Sequence, residues 1–394
     1  MRLDSSKAGA AAERSPLAGR NAAIDSLRTA MMCVVMFGHP LLPYTTVPRR
    51  FQEPQAHVAF DVLGVFLYGF AMPAFFVTAG FAGAALYSKR GTATFWRNRA
   101  TRIFLPLLFG YVLLTPLTRA AYEFAQVIVD TRSLGAGLEA VGDWSWLRWG
   151  KAYHLWFLAS LLVFSALIQA LIAGFNQASP PMRKRLALLG RKALLGPWRS
   201  AVISGWVAVC MSQAYITGTG QGTSLGMQLA VFSFFVVGWV YFAFRDQLSV
   251  LNDRWWEGLF LGLAVLPLCA WSTLHRLHSG GEWDPLMGAL AGLSNAILAV
   301  TITFGLIGLF QTHMTRQGPL GRYLSEASYW IYLIHYPIVI AAGGILALSD
   351  WPALVKYIAV VALALPLILG SHALLVQRGP LAAILGGGSA RSGS

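Results

Sequence analysis

The stretch RTAMMCVVMFGHPLLPY, Arg28 to Tyr44, has a cation at one end, an apolar run in the middle and an imidazole followed at once by proline at the other. Whether this is a membrane span carrying two polar residues decides the fold, and the rest of the chain supports that reading. Of 394 residues 56% are hydrophobic and 12% charged, with a mean hydropathy of +0.57; soluble domains average roughly 25% charged. Apolar runs of about 20 residues, enough to cross about 30 Å of hydrocarbon, recur along the chain. The expected fold is all-α, a polytopic membrane bundle of about ten spans: 24–47, 58–87, 103–125, 152–175, 200–217, 226–244, 257–274, 286–311, 327–348 and 353–377. Residues 1–20 and 381–394 are expected as disordered tails around a single transmembrane domain, 21–380. The polar N-terminus lacks the apolar core of a signal peptide.

The net charge of +14 informs through its distribution. Alternating the connections of ten spans puts 22 Lys and Arg on the side of the termini and eight on the other: Arg49, Arg50, Arg119, Arg132, Arg148, Lys151, Arg276 and Lys356. By the positive-inside rule both termini are cytoplasmic. Nucleic acid is not an expected partner, because no basic aromatic module accompanies the charge. Cys33, Cys210 and Cys269 all lie in apolar runs without paired spacing, so neither a disulfide framework nor a metal site is expected. TGTGQGTSLG, Thr217 to Gly226, is glycine-rich but lacks the GK[ST] ending of a phosphate loop and reads as an outer turn. In the longest outer connection, GDWSWLRWG carries three tryptophans that suit either an interfacial belt or a platform for sugar rings.

Arg28 and His39 are eleven residues apart. That spacing returns them to within about 20° of one helix face, roughly 16 Å apart along the axis. An ionisable group at such depth is costly unless paired or facing a cavity, which makes His39 a functional candidate. The alternative is a histidine bonded to a backbone carbonyl beside the break at Pro40. Asp61, expected at the depth of His39, is a candidate to hold one imidazole nitrogen and leave the other as a base, or else an interfacial acid solvated by its loop. Arg99 and Arg102, spaced i, i+3 in a loop without acids, suit a phosphate grip or simply mark the cytoplasmic side. His154 in YHLWFL, His335 in YWIYLIHYPIVI and His372 sit in aromatic surroundings. About six residues in from the cytoplasmic interface, His335 is expected about 9 Å deep, not level with His39.

Together RNAAIDSLRTAMMCVVMFGHP with its Arg-x10-His, MPAFFVTAGF, RNRATRIFLP with its Arg-x-x-Arg, YHLWFLASLL and ASYWIYLIHYPIVI resemble the acyltransferase 3 family of bacterial membrane proteins, and within it the type that succinylates periplasmic glucans. YHLWFL points to the glucan type rather than the O-antigen acetylating type, as does the lack of a soluble hydrolase-like domain after the tenth span. Ala79 departs from the pattern, since many members have serine there.

The resemblance implies a multi-pass enzyme of the bacterial inner membrane. It would transfer an acyl group, from succinyl-CoA or acetyl-CoA as cytoplasmic co-substrate, to hydroxyls of a periplasmic glucan. It carries the catalytic histidine onto His39 and the donor-binding cations onto Arg28, Arg99 and Arg102; Asp61 joins His39 as a catalytic candidate by its expected depth. His154, Trp156, His335 and Tyr332 become substrate-binding or supporting residues. No permanently bound cofactor or metal is expected. Membrane lipid is a partner, and a homodimer is compatible with this reading. His39 acts either as general base or through an acyl-histidine. Alternatives are an O-acetyltransferase for lipopolysaccharide or another envelope polysaccharide, and a secondary transporter or flippase, which would show inverted repeats.

Overall fold

A computed structural model of the chain describes residues 22–218, 224–247, 254–280, 282–314, 316, 318–377 and 379, and among them there is no strand. Both expected tails and residues 219–223 of the Gly-rich 217–226 segment lie outside the described residues. Among the described residues seven helical runs are long and apolar enough to cross a membrane. They become eight when Pro180–Leu195 and Arg199–Ile216, bent by 98° at their junction, count as one span. The ten spans read from the sequence divide the same residues differently, and three segments account for the difference.

The first is α1 (Ala22–Gly38), only 17 residues and about 25 Å long. It continues into the 3-10 turn His39–Tyr44, with Pro40 and Pro43 inside, which adds roughly 12 Å. Second, α2 (Val58–Arg99) runs on through a π turn (Ala100–Phe104), α3 (Leu105–Phe109) and a second π turn (Gly110–Leu114) into α4 (Thr115–Thr131). This 74-residue run would be about 110 Å long if straight, more than three bilayer cores. It reverses at Gly91, whose φ of 72° only glycine adopts readily. Tyr87 and Phe95 meet edge to face at 6.0 Å across that turn, and the Arg99 side chain returns to Gly83. The third is the bent pair itself, α7 (Pro180–Leu195) and α8 (Arg199–Ile216), joined to the rest through α5 (Leu134–Gly142) and α6 (Trp156–Gln177).

The remaining helices are α9 (Leu225–Ala243), α10 (Trp255–His278), α11 (Pro285–His313), α12 (Pro319–Leu346) and α13 (Ala353–Ser371). The principal packings are α8 and α10 on α11, α9 on α2, α4 and α13 on α12, and α1 on α2 and α12. Lipid tails offer no hydrophobic drive to helix pairing, so close backbone approach through small residues supplies it. At the α2–α9 seam a Cβ on Gly80 would overlap the Phe235 carbonyl, and one on Gly238 the Val77 carbonyl. Gly238→Val is therefore expected to cost about 1–3 kcal/mol through overpacking, read as a lower unfolding temperature in detergent. An unchanged melt would show that these helices tolerate separation.

The depth of His335 needs correcting. Its helix starts at Pro319 rather than near 327, because the polar turn GRYLSEAS is already helical. His335 is therefore about 24 Å from the helix start and reaches the level of His39. Arg28 Nη2 donates to Ser325 Oγ at 3.3 Å, while His39 meets His335 and Tyr336. The contacts lie eleven residues apart on α1 and ten to eleven apart on α12, so the two helices run parallel and in register, with a polar contact at each end.

Candidate active site

Four sequence-predicted residues converge. His39 opens the 3-10 turn at the end of α1, where Pro40 removes a backbone donor and ends the α-helix. Its Nδ1 lies 2.9 Å from His335 Nε2. His335 Nδ1 lies 2.9 Å from both the Ile331 and Tyr332 carbonyls. A carbonyl only accepts, so His335 carries its proton on Nδ1 and presents a bare Nε2. The hydrogen between the rings is then on His39 Nδ1, which leaves the lone pair of His39 Nε2 for chemistry. His154 sits beside the pair, its ring 5.3 Å from that of His335, its Nε2 3.0 Å from the Leu333 carbonyl, and its own carbonyl accepting from Tyr332 Oη at 2.7 Å.

Asp61 does not serve as the partner of His39. Both its oxygens accept from the Thr46 N–H at 3.0 Å, which closes the turn after Tyr44, and His335 occupies the imidazole nitrogen. A neutral histidine avoids the cost of holding a carboxylate charge at this depth. Trp156 packs on Phe76 at 6.3 Å instead of lining the site.

Two of the three expected donor cations share one stretch of α12. Arg28 bonds Ser325 and lies 3.6 Å from Asp25, while Arg102 acts electrostatically on Tyr329, one turn further on. Arg99 points elsewhere: its guanidinium covers the Phe95 ring at 4.6 Å and rests on Gly83.

Above His39 opens a cavity of about 600 Å³. Tyr122, Tyr153, Tyr336 and Trp149 form part of its wall. Tyr122 Oη is 2.9 Å from Tyr336 Oη, and Tyr153 stacks on Tyr122 at 5.8 Å. Tyr153 reaches that position with φ at 44°, a left-handed conformation that costs a non-glycine residue about 1–3 kcal/mol and that clusters at functional sites. Of the three tryptophans in GDWSWLRWG, Trp149 reaches the cavity and anchors Nε1 on the Val112 carbonyl, while Trp144 pairs with Trp146 at 5.2 Å.

Five cations also face the cavity: Arg49, Arg50, Arg119, Arg148 and Lys151. They are five of the eight cations that charge counting assigned to the outer side. The other three are structural ties. Arg132 pairs with Asp350, Lys356 is buried against Glu53 at 2.9 Å, and Arg276, fully buried, donates to the carbonyls of Tyr215, Gly218 and Glu282. Sequence reasoning treated this set as a topology signal and missed the cavity, although an Arg-Arg pair ten residues beyond His39 was a legible signal.

We propose that His335 positions His39 through the hydrogen bond between their rings. Replacing it with leucine is expected to slow turnover by about 10- to 100-fold, the worth of one hydrogen bond to a group that becomes charged. Glutamine, whose Oε1 can take the place of Nε2 as acceptor, is expected to restore much of the rate. Equal losses for leucine and glutamine in a turnover assay would count against that role.

The chain is thus a bundle of membrane-span-length helices with a histidine pair beneath a cavity. A family model for an acyltransferase domain matches residues 21–372, and the chain belongs to that family, acyltransferase 3. Among curated proteins it is similar to glucans biosynthesis protein C of Salmonella heidelberg (strain SL476) and of Salmonella agona (strain SL483). Each is 23% identical over 327 residues, covering 81% of this chain and 82% of the relative. No solved structure matches the chain.

Proposed function

We propose that the protein moves a succinyl group from cytoplasmic succinyl-CoA to hydroxyls of a periplasmic glucan, working in the bacterial inner membrane with His39 as general base. The observation that carries this reading is the His39–His335 pair, which leaves one basic nitrogen bare at the floor of a cavity walled by aromatic rings. Arg28 of α1 and Arg102 of the π turn Ala100–Phe104 would hold the nucleotide phosphates bidentately. The pantetheine arm would follow the parallel α1 and α12 over the roughly 16 Å to His39. The glucan would enter from the cavity, its rings on Tyr153 and Trp149.

In the reaction a glucan hydroxyl attacks the thioester carbonyl while His39 Nε2 takes its proton. The new C–O bond forms, the C–S bond breaks, and the proton passes to the departing CoA thiolate. His335 accepts the His39 Nδ1–H throughout and stabilises the transient imidazolium. His154 and Tyr332 hold the His335 segment by their backbone bonds.

Purified protein supplied with succinyl-CoA or acetyl-CoA and a neutral β-glucan tests this. Glucan-dependent release of CoA together with an alkali-labile glucan ester is the expected result. Ester formed only with acetyl-CoA, or only on another envelope polysaccharide, would reassign the substrates. Absence of CoA release with every donor and acceptor would end the enzymatic reading in favour of transport.

A further inference from the structure

We propose that the basic mouth of the cavity is a carboxylate-binding site and that Arg49 is the residue that selects a dicarboxylic acyl group by its distal carboxylate. This rests on the acyl-transfer reading of the same cavity and assigns it a selector.

The five cations at the mouth are not equivalent. Arg50 and Arg119 share the carboxylate of Glu123, at 3.3 and 2.9 Å. Arg49 forms no ion pair among the described residues; its Nε donates to Thr45 Oγ1 at 3.1 Å. That bond fixes the base of the guanidinium and leaves its terminal nitrogens to a ligand. The anchor is itself held, since the Thr45 carbonyl accepts from Gln52 Nε2 and Thr45 Oγ1 donates to the Leu42 carbonyl. Arg49 lines the same cavity as His39, Tyr122 and Tyr336, so its charge faces the space in which the acyl chain would lie.

A cavity with five cations and one neighbouring carboxylate is built for an anion. A neutral glucan does not need this charge, and the CoA phosphates have Arg28 and Arg102 about 16 Å away. Arg28 could itself have held the acyl carboxylate, but it is tied to Asp25 and Ser325 at the far end of α1. The remaining anion in the reaction is the free end of the acyl chain. With the thioester carbonyl at His39, a four-carbon chain places its second carboxylate a few bonds further toward the mouth, on the side where Arg49 stands.

The test compares donors on the full-length protein with a neutral β-glucan as acceptor. Arg49→Gln is expected to lower kcat/KM for succinyl-CoA by about 10- to 100-fold, the worth of one charge-assisted pair. The rate with acetyl-CoA is expected to stay within about twofold, which also reports that the variant is folded. Arg49→Lys is expected to recover part of the succinyl rate. Equal losses with both donors would assign Arg49 to the acceptor or to the common chemistry and overturn the proposal, as would a wild-type enzyme that uses acetyl-CoA alone. A loss that appears only when the neutral glucan is replaced by an anionic one would also overturn it, in favour of an acceptor anion. Absence of CoA release from the wild type with every donor would instead defeat the acyltransferase reading beneath it, and the selector with it.

Discussion

Replacing His39 with alanine is expected to lower glucan-dependent CoA release by about 10²- to 10⁴-fold, the usual contribution of a positioned general base. Substrate positioning by the cavity and the donor cations remains, so the residual rate should exceed that of uncatalysed ester formation. His39 is half-buried at a helix end, so the variant should fold and melt like the wild type. The sharper test is the pair. In the proposed mechanism His335 acts only through His39, so His335→Leu should cost 10- to 100-fold in the wild-type background and almost nothing once His39 is alanine. Additive losses in the double variant would show that His335 works on the substrate or the donor by itself. Retention of more than a tenth of the wild-type rate by His39→Ala would remove the base assignment altogether.

How much of this was legible in the sequence follows from which interactions are local. Arg28 and His39 share a helix, so the 3.6-residue period places them on one face before any packing is known. Apolar runs and the asymmetry of Lys and Arg are also properties of the linear chain. The partner of His39 is not local. It lies 296 residues away on α12, and its depth depends on where that helix begins. The polar GRYLSEAS turn hid this start, because hydropathy marks where a helix enters lipid and not where its hydrogen bonding begins. Asp61 misled for a related reason: equal expected depth does not say which way a carboxylate points, and a nearby turn with an open N–H claimed it. The mouth of the cavity was hardest to foresee. Its cations come from the turn after α1, from α4 and from the loop after α5, and they share nothing in sequence except the side to which charge counting assigns them.

That mouth depends on a buried ion pair, and breaking it is expected to have the largest effect on stability. Lys356 Nζ, on α13, lies 2.9 Å from Glu53 Oε2, with side-chain exposures of 2% and 0%. Glu53 belongs to the segment between the His39–Tyr44 turn and α2, whose N–H groups return to that turn: Glu53 to the Pro43 carbonyl and His57 to the Tyr44 carbonyl. Phe51, 2% exposed, packs its ring on Gly343 of α12. The segment that carries Arg49 and Arg50 is thus pinned inward from both sides. Lys356→Met strands a carboxylate with one oxygen already lacking a hydrogen-bond partner, and the loss expected for a broken buried pair is about 3–5 kcal/mol. Glu53→Gln, which strands the ammonium, should cost a similar amount. The double variant Glu53→Leu with Lys356→Met should recover most of it, because a buried pair replaced by apolar side chains often costs little or nothing. Thermal unfolding in detergent reads these differences, and single losses that simply add in the double variant would mean that the two groups do not hold each other. Activity adds a second readout. Where the double variant regains stability but succinyl transfer stays low, the pair is needed to aim the Arg49 segment over His39 as well as to hold the helices together.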